Sequence, residues 1–186
     1  MNSLLGATSS ALDEMAEKRV RAYEMQMQKL QKLPSDEQLK KINLYLNALL
    51  PQYDAITHQQ EEHWASPKEF LRVGYGDCEE YALIKLYSLL RLGFDGDKLY
   101  LLIAKEKFRG GRHMVLAYFD TPKRAPLILD NLSFRILRLD KRVDLESEML
   151  INASGIYRLE KEFKLTKIAH EYKEFQEIDT KVKKGL

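Results

Sequence analysis

The sequence predicts an α+β protein, with a helical N-terminal part and a central helix packed on an antiparallel sheet. Three observations predict it. Apolar residues recur at steps of three and four as far as about Leu92. Past Gly93 the period changes to short apolar runs of strand length. Those runs follow one another at close spacing, punctuated by Gly and Pro, as antiparallel neighbours do. The 186 residues suit one domain of ordinary size, which hides roughly 70% of its surface on folding. A 45% hydrophobic composition with 10% aromatics argues against disorder. With 30 basic against 28 acidic side chains, the net charge of +2 removes the electrostatic case for a nucleic-acid binder. Cys78 is the single cysteine, so no internal disulfide forms, and it is either a small buried hydrophobe or a reactive thiol.

The first helix is read over residues 9–32, where Leu12, Ala16, Val20, Tyr23, Met27 and Leu30 share a stripe. A methionine-rich stripe suits a partner-binding helix, although packing on its own domain is the commoner outcome. Pro34 ends it. Ser35 is read as the cap of a second helix, with Gln38 completing a capping box and Leu39, Ile42, Leu46 and Leu49 as its buried side, up to Pro51. Ser66, Pro67 and Glu69 together mark a third helix start, and Gly74-Tyr75-Gly76 ends that short element. A longer helix opens at Asp77-Cys78-Glu79-Glu80 and runs to about Leu92, burying Ala82, Leu83, Leu86, Leu89 and Leu90 before Gly93. Strands are expected at Leu99–Ala104, His113–Phe119, Leu127–Asp130 and Phe134–Leu139, with a further edge strand at Ile156–Leu159. Residues 144–152 read as a short helix or loop, and 161–186 as a charged tail with weak helical periodicity through Phe163, Ile168, Tyr172 and Phe175. The organisation is then an amphipathic helix (1–34), a central domain (35–160) and the tail (161–186). No stretch approaches 18 uninterrupted apolar residues, and no basic start precedes a long apolar run.

Cys78 falls in the first turn of its helix, where unpaired N–H groups and the helix dipole favour a thiolate and can hold an oxyanion. Asp77, Glu79 and Glu80 crowd it with negative charge, which opposes the thiolate. A hard cation such as Ca²⁺ would neutralise them; the alternative is that they simply complement the helix dipole. A cysteine nucleophile needs a base and a group to orient it. His113 starts one strand and Asp130 ends the next, so antiparallel pairing would bring them together. His58, His63 and His170 compete for the role but lie in a polar connection or the charged tail.

The run Trp64-Ala65-Ser66-Pro67-Lys68-Glu69-Phe70-Leu71, followed by Gly76-Asp77-Cys78-Glu79-Glu80-Tyr81-Ala82, resembles the bacterial transglutaminase-like cysteine proteinases of the LapG family. His113-Met114-Val115-Leu116, Leu129-Asp130-Asn131-Leu132 and Met149-Leu150-Ile151-Asn152 with Gly155-Ile156-Tyr157 are similar to its later motifs, in order and spacing. The similarity spans roughly residues 35–160, and Glu80 stands where aspartate is expected.

The resemblance implies a papain-like set on a transglutaminase-like fold, with Cys78 as nucleophile, His113 as base and acid, and Asp130 orienting the imidazole. It also implies calcium, with Asp77 and Glu79 as ligands and Glu80 as a candidate for a further one. The implied protein is a periplasmic protease, its signal peptide absent from this chain. It cuts a large surface adhesin near its N-terminus, at a di-alanine site, and so disperses biofilm. An inner-membrane receptor of the LapD type, controlled by cyclic di-GMP, is the implied regulator; no nucleic-acid partner or membrane insertion is expected. The Cys78 N–H is the first oxyanion donor, the second being unassigned. Trp64 and Tyr81 are candidates to wall a narrow pocket for small side chains, against the alternative that both are core, and an exposed Trp64 could also meet the receptor. Two other readings use the same fold: acyl transfer to an amine, and a non-catalytic docking module.

Overall fold

The computed structural model describes residues 3–49, 64–108 and 110–184, with side chains from residue 13 onward. Its helices are α1 (Ser3–Leu30), α2 (Ser35–Asn47), α3 (Pro67–Val73), α4 (Cys78–Arg91) and α5 (Lys173–Lys183). The strands are β1 (Leu99–Glu106), β2 (Arg112–Tyr118), β3 (Leu127–Leu129), β4 (Leu137–Arg138), β5 (Leu145–Asn152), β6 (Gly155–Leu159) and β7 (Leu165–Ala169). They form one seven-stranded sheet in the order β4-β3-β2-β1-β5-β6-β7. Every pairing in it is antiparallel. The α+β architecture is therefore the one expected, and α4 lies on one face of the sheet against Leu101, Ile103, Met114 and Leu116. A smaller cluster of Tyr100, Leu102, Val115 and Ile128 covers the opposite face, which is why β1 is buried on both sides.

The three segments separated in the sequence share one core. Tyr23, Met27 and Leu30 of α1 pack in the same cluster as Phe175 and Ile178 of α5. Among the described residues no helix is long and apolar enough to cross a membrane.

Four local readings are corrected. Pro34, not Ser35, caps α2, and it has no side-chain oxygen to do so. Gln38 instead sends its amide N–H back to the Leu30 carbonyl (3.0 Å), closing the end of α1. Residues 144–152 are neither helix nor loop: β5 pairs with β1 through a bulge at Ile103/Ala104. Their helix-prone Glu-Ser-Glu-Met composition is overridden by non-local pairing. The tail adds β7 outside β6, so β6 is an interior strand and the apparent helical period at 163–168 is broken by strand geometry. The fourth expected strand shrinks to Leu137–Arg138. Leu12, Pro51, His58 and His63 lie outside the residues or side chains described.

Candidate active site

Two capped helices aim the segment that carries Cys78. The Ser66 hydroxyl accepts the Glu69 N–H while Glu69 Oε2 accepts the Ser66 N–H (2.7 Å), the capping box the sequence predicts. At its other end α3 stops at Gly74, whose left-handed φ of 85° suits only glycine without strain. Arg19 of α1 closes this end. Its Nε donates to Leu71 O (2.9 Å), and Nη2 donates to the carbonyls of Arg72 and Val73. At Gly76 a Cβ would come within 2.9 Å of both the Phe70 ring and Glu80 Cβ, so the chain needs glycine to turn into α4. There a second capping box forms, between Asp77 and Glu80.

Cys78 is the first residue of α4 and half-buried. Helix geometry leaves its N–H without an intrahelical acceptor. Its sulfur receives the backbone N–H of Met114 (3.4 Å), which places it beside the residue that follows His113 on β2. The thiol donates to Glu79 Oε2 (3.1 Å). Burial pushes the thiol pKa well up, the Glu79 charge adds to that, and the Met114 N–H opposes both. The expected benefit of the helix N-terminus is thus outweighed, first by burial and then by the Glu79 charge beside the sulfur.

Glu79 and Glu80 each meet the Asp77 carboxyl. Burial opposes ionisation of Asp77, but hydrogen bonds from Glu80 and Glu79 hold it below its ordinary value. Burial and the neighbouring Asp77 push Glu79 up to about 7 and Glu80 up to about 8. Glu80 commits both oxygens to backbone, Oε1 to the Ala65 N–H (3.0 Å) and Oε2 to the Asp77 N–H (3.1 Å). Among the described residues no group of three His, Cys, Asp or Glu is arranged to hold a metal ion. Asp77 and Glu79 flank the sulfur in sequence, one on each side of Cys78.

His113 and Asp130 meet as antiparallel pairing requires. His113 is the second residue of β2 and is 7% exposed; Asp130 directly follows β3 and is fully buried. Imidazole Nε2 lies 2.9 Å from Asp130 Oδ1, which also accepts the Leu132 N–H at 2.9 Å. Asp130 Oδ2 accepts Arg142 Nη2 (2.7 Å), and Asn47 Nδ2 donates to the Asp130 carbonyl (2.7 Å). Burial would raise the Asp130 carboxyl pKa, but hydrogen bonds from His113 and the Leu132 N–H, with that of Arg142, hold it well below the carboxylate range. Of the competing histidines, His170 is exposed.

Both proposed wall aromatics are core. Trp64 is 9% exposed and stacks on Tyr172 (5.6 Å between centroids), and the Tyr81 hydroxyl donates to Leu49 O (2.7 Å). The sequence reading did not single out Arg142, Asn47 or Arg19. Asn47 had a signal: with Asn43 it interrupts the buried stripe of α2 at an i, i+4 interval. Arg142 had none, since its loop meets Asp130 only through the sheet.

A helix that opens on cysteine, lying on an antiparallel sheet whose strands deliver a paired histidine and aspartate, fits the transglutaminase-like, papain-like cysteine proteinase class. The model of the bacterial transglutaminase-like cysteine proteinase family matches residues 11–143, and the chain belongs to that family. Its structure is similar to calcium-bound LapG of Legionella pneumophila, with a TM-score of 0.80 and 29% identity over 93% of this chain and 98% of that one. EGTA-treated LapG of the same organism gives 0.79 and 30% identity, covering 92% and 96%. A further Legionella LapG structure gives 0.70 and 34% identity, covering 79% and 83%. A search of the curated proteins finds no match.

Proposed function

We propose that the chain is a calcium-dependent cysteine endopeptidase in which Cys78 is the nucleophile, His113 the general base and acid, and Asp130 the group that orients the imidazole. One observation carries this reading. Nε2 of His113 is taken by Asp130, while the Cys78 sulfur sits on the Met114 N–H next along the same strand. An Nε2–H held by a carboxylate leaves Nδ1 as the free acceptor, the tautomer a cysteine protease needs. His113 takes the thiol proton, and the sulfur attacks the scissile carbonyl. The Cys78 N–H meets the developing oxyanion, and His113 returns the proton to the leaving amine. Water then releases the acyl group.

Asp77 and Glu79 fit a hard cation, for they are neighbouring, half-buried carboxyl groups that cannot comfortably both carry negative charge. Asp77 and Glu79 would hold the calcium, which when bound would supply positive charge to offset the carboxylates beside the thiol. Glu80, with both oxygens on backbone N–H groups, shapes the helix start. The family match and the likeness to calcium-bound LapG support the reading. In keeping with the family resemblance, the proposed substrate is the N-terminal region of a large surface adhesin, cut at a di-alanine site to disperse biofilm. The proposed regulator is a LapD-type cyclic di-GMP receptor.

The test is incubation with an adhesin N-terminal fragment, read by intact mass. Cys78→Ala should abolish cleavage while leaving the melting curve in place, and EGTA should stop turnover until calcium is restored. Asp77→Asn and Glu79→Gln should weaken calcium binding in calorimetry. Cleavage by Cys78→Ala would end the proposal, and turnover indifferent to EGTA would end its calcium part. Amine incorporation without cleavage would move the chain to the acyl-transfer reading.

A further inference from the structure

Asp130 is fully buried, and a buried carboxylate needs a counter-charge that does not leave during the reaction. His113 cannot be that charge, because its imidazole must be neutral when it accepts the thiol proton. The cation that stays is Arg142, on the loop between β4 and β5. Its Nη2 reaches Asp130 Oδ2 (2.7 Å), and the Arg142 side chain is only 11% exposed. The other partner is Asp144, which accepts Nη2 (2.6 Å) and Nε (2.9 Å). Asp144 is itself fixed, since its carbonyl accepts the Lys107 N–H (2.8 Å) from the β1–β2 hairpin. The two Asp130 oxygens are thereby divided: Oδ1 faces His113 and the Leu132 N–H, Oδ2 faces Arg142.

Resting on the protease reading above, we propose that Arg142 is a positioning residue: it acts through Asp130, holding that carboxylate ionised and turned so that Oδ1 fixes the His113 ring. Arg142→Met should then lower kcat about tenfold to hundredfold with KM unchanged, because what is lost is orientation of the base and not substrate contact. Arg142→Lys, which keeps a cation but not the forked reach to both aspartates, should recover part of the loss. In an Asp130→Asn background Arg142→Met should cost nothing further. The His113 Nε2–H resonance should move in Arg142→Met and return toward its wild-type position in Arg142→Lys. A folded Arg142→Met with kcat within about twofold of wild type overturns the proposal, and so does a loss of equal size in the Asp130→Asn background. If wild-type protein itself fails to cleave the adhesin fragment, the protease reading fails and the resonance alone decides: unchanged by Arg142→Met, it overturns the positioning role. Should Arg142→Met not fold, Arg142→Lys carries the test, and full wild-type kcat with an unmoved resonance in that variant rejects it.

Discussion

At the scale of single residues, Lys85 is costly to bury. It is fully buried in α4, and its ammonium finds no hydrogen-bond partner among the described residues. Burial pushes its pKa down to about 7, with the charge of Asp130 pulling the other way. An unfolded lysine titrates near 10.4. Between about pH 7 and that value the unfolded chain therefore binds a proton that the folded chain does not, and stability rises with pH across the window. Lys85→Met should stabilise the protein by about 1–4 kcal/mol at pH 7, with the gain shrinking toward pH 10. Urea midpoints at both values check this, and a loss at pH 7 or a gain that grows with pH would contradict it. The sequence held the clue in its spacing: Lys85 lies three residues from Ala82 and four from Leu89, on the apolar stripe itself. Cys78, His113 and Asp130 were legible for a related reason, since helix start, strand start and strand end are positions a one-dimensional pattern can mark. Arg142 and Arg19 were not, because Asp130 lies 12 residues from the first and the α3 carbonyls 52 or more from the second, and neither arginine carries a helix or strand boundary signal of its own.

Among the elements, the turn between α3 and α4 is decided by a glycine and a guanidinium. A Cβ at Gly74 would meet the Arg19 guanidinium at 2.6 Å, and Arg19 cannot simply swing aside without losing the carbonyls it bonds. Gly93 offers a control, having a similar φ of 91° with nothing near the missing Cβ. Both alanine substitutions should lose the left-handed preference, about 1–2 kcal/mol. Gly74→Ala should lose more, and the excess should vanish in an Arg19→Ala background. Denaturation midpoints of the four variants measure it; equal losses at the two glycines would show that Arg19 yields freely. Elements with their own end signals were readable, as the Ser66 box and the Gly74 stop show. Strands β5 and β7 were hidden because nothing local specifies them: Glu146 and Glu148 favour helix, and β7 is a largely exposed edge whose only direction comes from β6.

For the molecule as a whole, the central question is what keeps α4 rigid enough to present Cys78. The sheet supports one side of that helix, and α1 supports another. The Tyr23 hydroxyl lies 2.8 Å from Ser88 Oγ, and Glu24 pairs with Arg91 at the surface. Met27 and Leu30 are fully buried in the cluster that contains Leu83, Leu86 and Leu89. The first helix is thus part of the protease core, although the motif similarity read from the sequence begins only near residue 35. Removing residues 1–33 would strip a helix from the apolar side of α2, α3 and α4 and leave the α3 carbonyls that Arg19 caps unpaired. That truncated chain should lose its cooperative melting transition and, on the proposed function, all cleavage of the adhesin fragment. Met27→Ala, a smaller change, should lower stability by about 2–5 kcal/mol while leaving kcat per folded molecule intact well below the transition. Calorimetry with activity measured on the same samples separates these outcomes. A truncated chain that melts at the wild-type temperature would show that the sheet alone holds α4, and that the first helix is an appendage after all.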